Sequence, residues 1–338
     1  MTSAVVERTA RRAHPVLAFL ARRLAGAVAT LLVASMLIFV ATQLLPGDTA
    51  SAVLGKAASP EAVAALRHRL GLDRSIVAQY ADWLAHFVRG DLGDSAVALA
   101  GGAESAPVSA VIAGPLLNSA MLALITLVLT IPLTLALGVF TGLRAGRTAD
   151  HLLTTVSLAL VSVPEFVLAS LLILVFFTGL QVLPPVALVA PGESPLADPT
   201  ALVLPVLTLL IIGVAVGMRQ VRAGVAEVAR RQYVTMARLN GIAERRVVWR
   251  YIVRNSLAAS VQMIAQNVQY LLGGIVLVEV VFAYPGVGKL LVDAVTARDF
   301  TEVQAITVLI GAFAVALNIV ADLIVVFLVP QLRTTELS

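Results

Sequence analysis

The chain has no cysteine, four histidines and two tryptophans in 338 residues. Without thiols there is no disulfide, no thiolate metal site and no cysteine nucleophile. His14, His68, His86 and His151 share no ligand spacing such as HExxH. No GxSxG elbow occurs either, so neither a hydrolytic nor a metal constellation emerges. Charge is also scarce. Asp, Glu, Lys and Arg make up 13% of the residues, about half of the roughly 25% usual in soluble domains.

What the chain has instead is apolar surface. It is 59% hydrophobic, with a mean hydropathy of +0.95. Such a chain cannot keep its exterior wet, so that exterior must face lipid. The pI near 9.8 raises the question of nucleic acid. The arginines, however, lie in short loops beside apolar runs, the positive-inside pattern of membrane proteins rather than a groove-binding patch.

A membrane helix needs about 20 mostly apolar residues. Six segments qualify: 24–45, 118–143, 152–180, 201–217, 257–282 and 304–329. The fold expected is therefore an all-α integral membrane protein of about six transmembrane helices. The first segment is too long for the apolar region of a cleaved signal peptide. A cytoplasmic N-terminus places 17 of the 24 Lys and Arg residues inside. The opposite orientation puts nine arginines, Arg219 to Arg254, into one external loop. Both termini are thus expected to be cytoplasmic. The organisation expected is a cytoplasmic segment 1–23, a first span 24–45, an extracytoplasmic segment 46–112, and a region 113–338 with the other five spans.

In the external segment, Val63, Leu66 and Leu70, then Ile76, Tyr80, Trp83 and Phe87, recur at helical spacing and predict two short amphipathic helices. They fit either a structural cap or a docking surface. Within the third span stands Pro164-Glu165. The proline kinks or splits the helix, and a carboxylate at that depth must face protein or water. Gln262, Gln266, Gln269 and Gly273 form one stripe of the fifth span. They could line an aqueous path or hydrogen-bond between helices. Asn318 and Asp322 read as a structural polar pair. AYPGVGKLL (283–291) brushes against a phosphate-binding loop, but lacks its first glycine and its Ser or Thr, and reads as a turn.

The most informative stretch is YVTMARLNGIAERRVVWRYIVRN (233–255), a basic helical segment between two apolar spans. Gly241 can end a first short helix in the left-handed region, and a second starts near Ala243. Ala237 is small enough for a close approach, and Arg238, Arg245 and Arg246 can reach acidic or carbonyl groups.

Residues 237–255 resemble the cytoplasmic loop of ABC-transporter permeases, whose consensus is EAA, three residues, then Gly. More narrowly, the chain resembles the first permease subunit of the dipeptide/oligopeptide/nickel importers over nearly its whole length. The resemblance is carried by the Arg-Arg entry and LLPGD exit of the first span, LGLD (70–73), RGDLGDS (89–95), VEVVFAYPGVGKLLVDAVTARDFTEVQA (278–305), and the pair Asn318 and Asp322. The chain departs from the family at Thr235, where the consensus has Glu, at Ala259, where a proline is usual, and in VPQLR (329–333), which lacks a preceding aspartate.

The resemblance implies a type I importer permease in a bacterial inner membrane. A coupling helix near 233–247 would engage one or two ATPase subunits through Thr235, Met236, Ala237, Arg238, Gly241, Glu244, Arg245 and Arg246. It implies no cofactor on this chain, with ATP and Mg on the ATPases. Its other partners would be a second homologous permease, membrane lipid and an extracytoplasmic binding protein docking near Asp91, Leu92, Pro285 and Gly286. Glu165, Gln262, Gln266 and Gln269 would line the pathway. Mild, mostly uncharged polarity favours di- or oligopeptides over nickel, glutathione or another small solute. The rival classes are a stand-alone secondary transporter, which predicts inverted repeats, and a receptor, which needs a cytoplasmic output domain.

Overall fold

The computed structural model describes the backbone of residues 15–44, 49–55, 58–189 and 193–328, and their side chains except 15–20, 257–269, 272 and 321–328. The described residues fold as helices, with a lone β-bridge between Asp94 and Pro107. A long helix α1 (Pro15–Leu44) leads into four short ones: α2 (Thr49–Leu54), α3 (Pro60–Arg69), α4 (Ile76–Val88) and α5 (Ala96–Ala100). Then come α6 (Val108–Leu143), α7 (Thr148–Val161), α8 (Glu165–Ile173), α9 (Pro199–Ala229), α10 (Gln232–Leu239) and α11 (Glu244–Arg246). The chain closes with α12 (Arg254–Val281), α13 (Val287–Ala297) and α14 (Phe300–Leu328).

Ala21–Leu44, Val108–Leu143, Pro199–Ala229 and Phe300–Val320 are long and apolar enough to cross a membrane. The third expected span is broken. Thr148–Val161 and Glu165–Gly179 meet at 99°, because Pro164 cannot continue the helical ladder. A single span 152–180 is therefore corrected to two segments, the second ending in a π-turn at Leu174–Gly179. The fifth expected span is carried by α12, whose 28 residues reach about 42 Å at 1.5 Å per residue. Several other helices outrun their expected bounds. α6 starts ten residues before 118, and α9 runs twelve past 217.

The helices are not equivalent. In the most apolar window of α9, 67% of the residues are buried, against 11% in α1. α9 is the central post and α1 a peripheral one. α6 packs along α9 because small residues face it. A Cβ on Gly142 would lie 2.7 Å from Val225 Cβ and 2.9 Å from the Arg222 carbonyl oxygen. Gly138 meets Val221 in the same way. This is the small-residue seam by which membrane helices approach closely.

The expected amphipathic pair in the external segment forms as α3 and α4. Ser59 and Ser75 cap them, each side chain accepting from the N–H three residues on. Tyr80, Trp83 and Phe87 stack in series, and Phe39 of α1 packs against Tyr80 and Trp83. The aromatic stripe thus fastens the insertion to α1. Asp299 fastens it to α14. That buried carboxylate accepts from Ser95 Oγ (2.6 Å), Val97 N (3.0 Å) and Glu302 N (3.2 Å), serving two helix starts at once.

Candidate functional site: a basic turn, a broken span and a buried latch

The arginine-rich end of the bundle is built on α9. Its 31 residues extend about 46 Å, well beyond a hydrocarbon core of about 30 Å. Its last turns carry Arg219 and Arg222 and lead through Arg230 into α10. α10 is amphipathic. Val234 and Ala237 are buried against Val221, Val225, Val247 and Ile252. Met236, Leu239 and Tyr233 stand exposed on its other side. Burying Val234 alone contributes about 1.5–3 kcal/mol, which clamps α10 to the end of α9 and to the π-helical segment Val247–Val253 that leads into α12.

Gly241 then reverses the chain at φ +74°. A Cβ there would touch nothing within 4 Å, so the glycine is needed for its conformation and not for space. Across this turn Arg238 donates to both oxygens of Glu244, at 2.7 and 3.1 Å. The Arg238 guanidinium holds the Glu244 carboxyl below the usual carboxylate range. Thr235, Met236, Arg245 and Arg246 are exposed beside this clip. Two expectations change here. Ala237 meets its own chain and not an incoming surface, because it lies on the inward stripe with Val234. Arg238 is engaged by Glu244.

A buried ion pair braces the same end. Asp150 is fully buried, accepts from Gly146 N (2.8 Å), and is gripped by Arg222 through Nε and by Nη2 at 2.6 Å. It ties the start of α7 to the lower part of α9. Neither partner stood out in the sequence, since nothing at 150 and 222 marks them as neighbours.

Within the bundle, Glu165 is the first residue of α8, directly beyond the break. It is half-buried and lies against α12, where a Cβ on Gly274 would come within 3.0 Å of its carboxylate. The Tyr270 hydroxyl, one turn earlier on α12, faces the same group. α12 also carries Gln262, Gln266 and Gln269, whose side chains lie outside the described residues, as does that of Asp322.

At the opposite end, α12 carries a second acid that sequence reasoning passed over. Glu279 is fully buried. It accepts from Ser119 Oγ of α6, from Gly288 N (2.7 Å) and from Lys289 N (3.2 Å). Ser119 Oγ also accepts from Val287 N (2.8 Å), Asn118 Nδ2 donates to the Pro285 carbonyl (2.9 Å), and the Tyr284 hydroxyl donates to the Asn118 carbonyl (2.8 Å). The 282–289 turn is latched to α6 around one carboxyl group. The signal was there: an acid inside VLVEVVF is as costly as one at 165. The likeness of AYPGVGKLL to a phosphate-binding loop now has a physical sense. Its amides do cradle a carboxyl group, that of the chain's own glutamate.

This latch changes the reading of the docking residues. Gly286 is buried and a Cβ would fall on the Glu279 carboxyl group, while Pro285 is half-buried. Leu92 packs against the cluster of Val108, Val287 and Ile306. Asp91 is exposed, its Oδ1 accepting from Gly93 N at 2.9 Å. Gly286 and Leu92 therefore shape this end from within.

A bundle of apolar helices with one basic, clipped turn and a capped far end defines a membrane transport subunit. Residues 134–334 match the family described as binding-protein-dependent transport system inner membrane component, and residues 16–137 match the N-terminal family that accompanies it. The chain belongs to this family of ABC importer permeases. It is similar to a putative peptide transport system permease protein of Brucella abortus, at 34% identity over 94% of this chain and 99% of the relative. It is also similar to the glutathione transport system permease protein of Salmonella typhimurium, at 32% identity over 93% and 98%. As a permease subunit it is a transport component and not an enzyme.

Proposed function

We propose that this chain is one of two unlike permease subunits of an importer for short peptides in a bacterial inner membrane, driven by ATPase subunits that dock on α10 and α11. The observation that carries the reading is the turn itself. α10 is anchored by Val234 and Ala237 while Met236, Leu239, Arg245 and Arg246 face outward. A soluble protein can grip apolar side chains ringed by arginines. A surface clamped to α9 and to the segment Val247–Val253 leading into α12 can pass that grip to the spans. Closure of two ATPases around ATP and Mg would push α10 and tilt the bundle, so this chain needs no nucleotide site.

The arginine-rich end is then cytoplasmic, and the end capped by α2–α5 and the 282–289 turn faces a binding protein. Asp91 and the half-buried Pro285 are the contacts offered there, with Leu92 and Gly286 as their support. Glu165 and the stripe Gln262, Gln266 and Gln269 line the path between the subunits. A peptide cargo agrees with the relative from Brucella abortus and with the mild polarity of these residues.

The test is isolation of the tagged chain in mild detergent from its native host, with mass spectrometry of its companions. A second permease and one or two ATPases are the expected result. Recovery of the chain alone from several detergents would refute the assembly and favour a stand-alone secondary transporter.

A further inference from the structure

We infer that Glu165 is a specificity-determining residue that favours solutes carrying an ammonium group, the free N-terminus of a peptide first among them. The inference rests on the importer reading above and goes beyond it by assigning a charge preference to the membrane path itself, separate from any preference of a binding protein.

A carboxylate in a membrane span needs water, a hydrogen-bond donor or a positive partner. Glu165 stands at the 99° break of the third span, half-buried and therefore reachable. No ion pair involves it among the described residues; the bridges there join other groups. Among the described residues, what meets it from α12 is the Tyr270 hydroxyl, which hydrogen-bonds the carboxylate, and the side-chain-free position Gly274. The carboxylate fills the space that a Cβ on Gly274 would take, and the Tyr270 ring beside it is half-exposed. A carboxylate next to an accessible aromatic face is a pairing that recognises ammonium groups through charge and cation–π attraction. A divalent metal fits poorly, because no three His, Cys, Asp or Glu residues gather among the described residues and one carboxylate is too few ligands. A purely structural account exists: an acid in the first turn of α8 also favours the helix dipole. That account predicts a change in stability and none in selectivity.

The two accounts separate in the assembled importer, reconstituted in lipid vesicles with its partner subunits and binding protein. Uptake of a tripeptide is compared with that of its N-acetylated form, each saturating the binding protein, whose affinities are measured apart. Wild type is expected to move the free peptide about tenfold faster, the scale of one lost charged hydrogen bond. Glu165→Gln should lower free-peptide uptake and bring the ratio near one, and Glu165→Asp should keep most of the preference. Glu165→Ser serves as a second neutral variant should Gln impair assembly. An unchanged ratio in both neutral variants overturns the inference and leaves the importer standing. If wild type moves no peptide at all, the peptide reading fails by itself. The carboxylate is then judged by competition among cationic, neutral and anionic solutes, and equal responses of wild type and Glu165→Gln to all three classes would overturn it.

Discussion

Removing Glu279 should open the far end of the bundle, and the structure sets the scale. Glu279→Ala strips the acceptor from the Gly288 N–H at 2.7 Å and from the Ser119 hydroxyl. Each buried group left unpaired costs about 1–3 kcal/mol, so the two together cost about 2–6 kcal/mol. The lost side-chain volume adds a cavity, while any water that enters returns part of the loss, which places the expected value near 3–4 kcal/mol. Glu279→Gln keeps the shape. Its amide oxygen can still accept from Gly288 N, and its amide nitrogen can donate to Ser119 Oγ, so about 1 kcal/mol is expected. Glu279→Leu should fall near Ala, because it fills space and satisfies nothing.

The assay is equilibrium unfolding of the purified chain in mixed micelles, with protease cleavage within 282–289 as a local readout. Ala and Leu should unfold earlier and expose the turn, and Gln should lie close to wild type. A double-mutant cycle with Ser119→Ala should show coupling, because the two side chains share one hydrogen bond. Equal destabilisation by Ala and Gln, or less than about 1 kcal/mol for Ala, would refute the account of the turn as held by this carboxyl group.

Gly142→Ala should weaken the α6–α9 seam, since its Cβ would lie 2.9 Å from the Arg222 carbonyl; about 1–3 kcal/mol is expected on the same unfolding assay. Gly241→Asn, which tolerates φ > 0, should transport nearly as well as wild type, while Gly241→Val should insert normally and lose ATP-driven uptake. Arg245 and Arg246 both changed to Glu should weaken co-purification of the ATPases; unchanged recovery would remove these residues from the interface. Asp150→Asn leaves Arg222 without its counter-charge and should cost about 3–5 kcal/mol. The Glu244 carboxyl is held low by Arg238, so its contribution is complete above the ordinary value of 4.5 and is lost as the pH falls through its lowered value. Both groups are largely exposed, so the pair gives at most about 1 kcal/mol, and uptake should show no step from this pair between about pH 6 and 8.

The spans and the basic turn were legible because their signals are local. About twenty apolar residues, a proline within a run and a glycine between short helices each act on their own neighbourhood. So the break at Pro164, the left-handed Gly241 and the two serine-capped helices over 60–88 appear where the sequence places them. What was hidden depends on pairing across the chain. Asp150 meets Arg222, Ser95 meets Asp299 and Ser119 meets Glu279, at separations no periodicity reports. The inward turn of Ala237 was hidden for a related reason. Two faces of an eight-residue helix look alike until α9 and the segment Val247–Val253 cover one of them.

Glu165 and Glu279 show why depth alone does not find a transport residue. Both are acids within apolar runs, and the cost of burying them is the same in kind. Glu279 has no exposed surface and three donors supplied by its own chain. Its hydrogen bonding is already satisfied, so a passing solute has nothing to offer it. Glu165 is half-exposed and, among the described residues, is met by one donor, the Tyr270 hydroxyl. On the charge preference inferred above, the ammonium group of a solute meets it at the break of the span. The number of donors the fold supplies to a membrane carboxylate separates a structural acid from one that handles cargo.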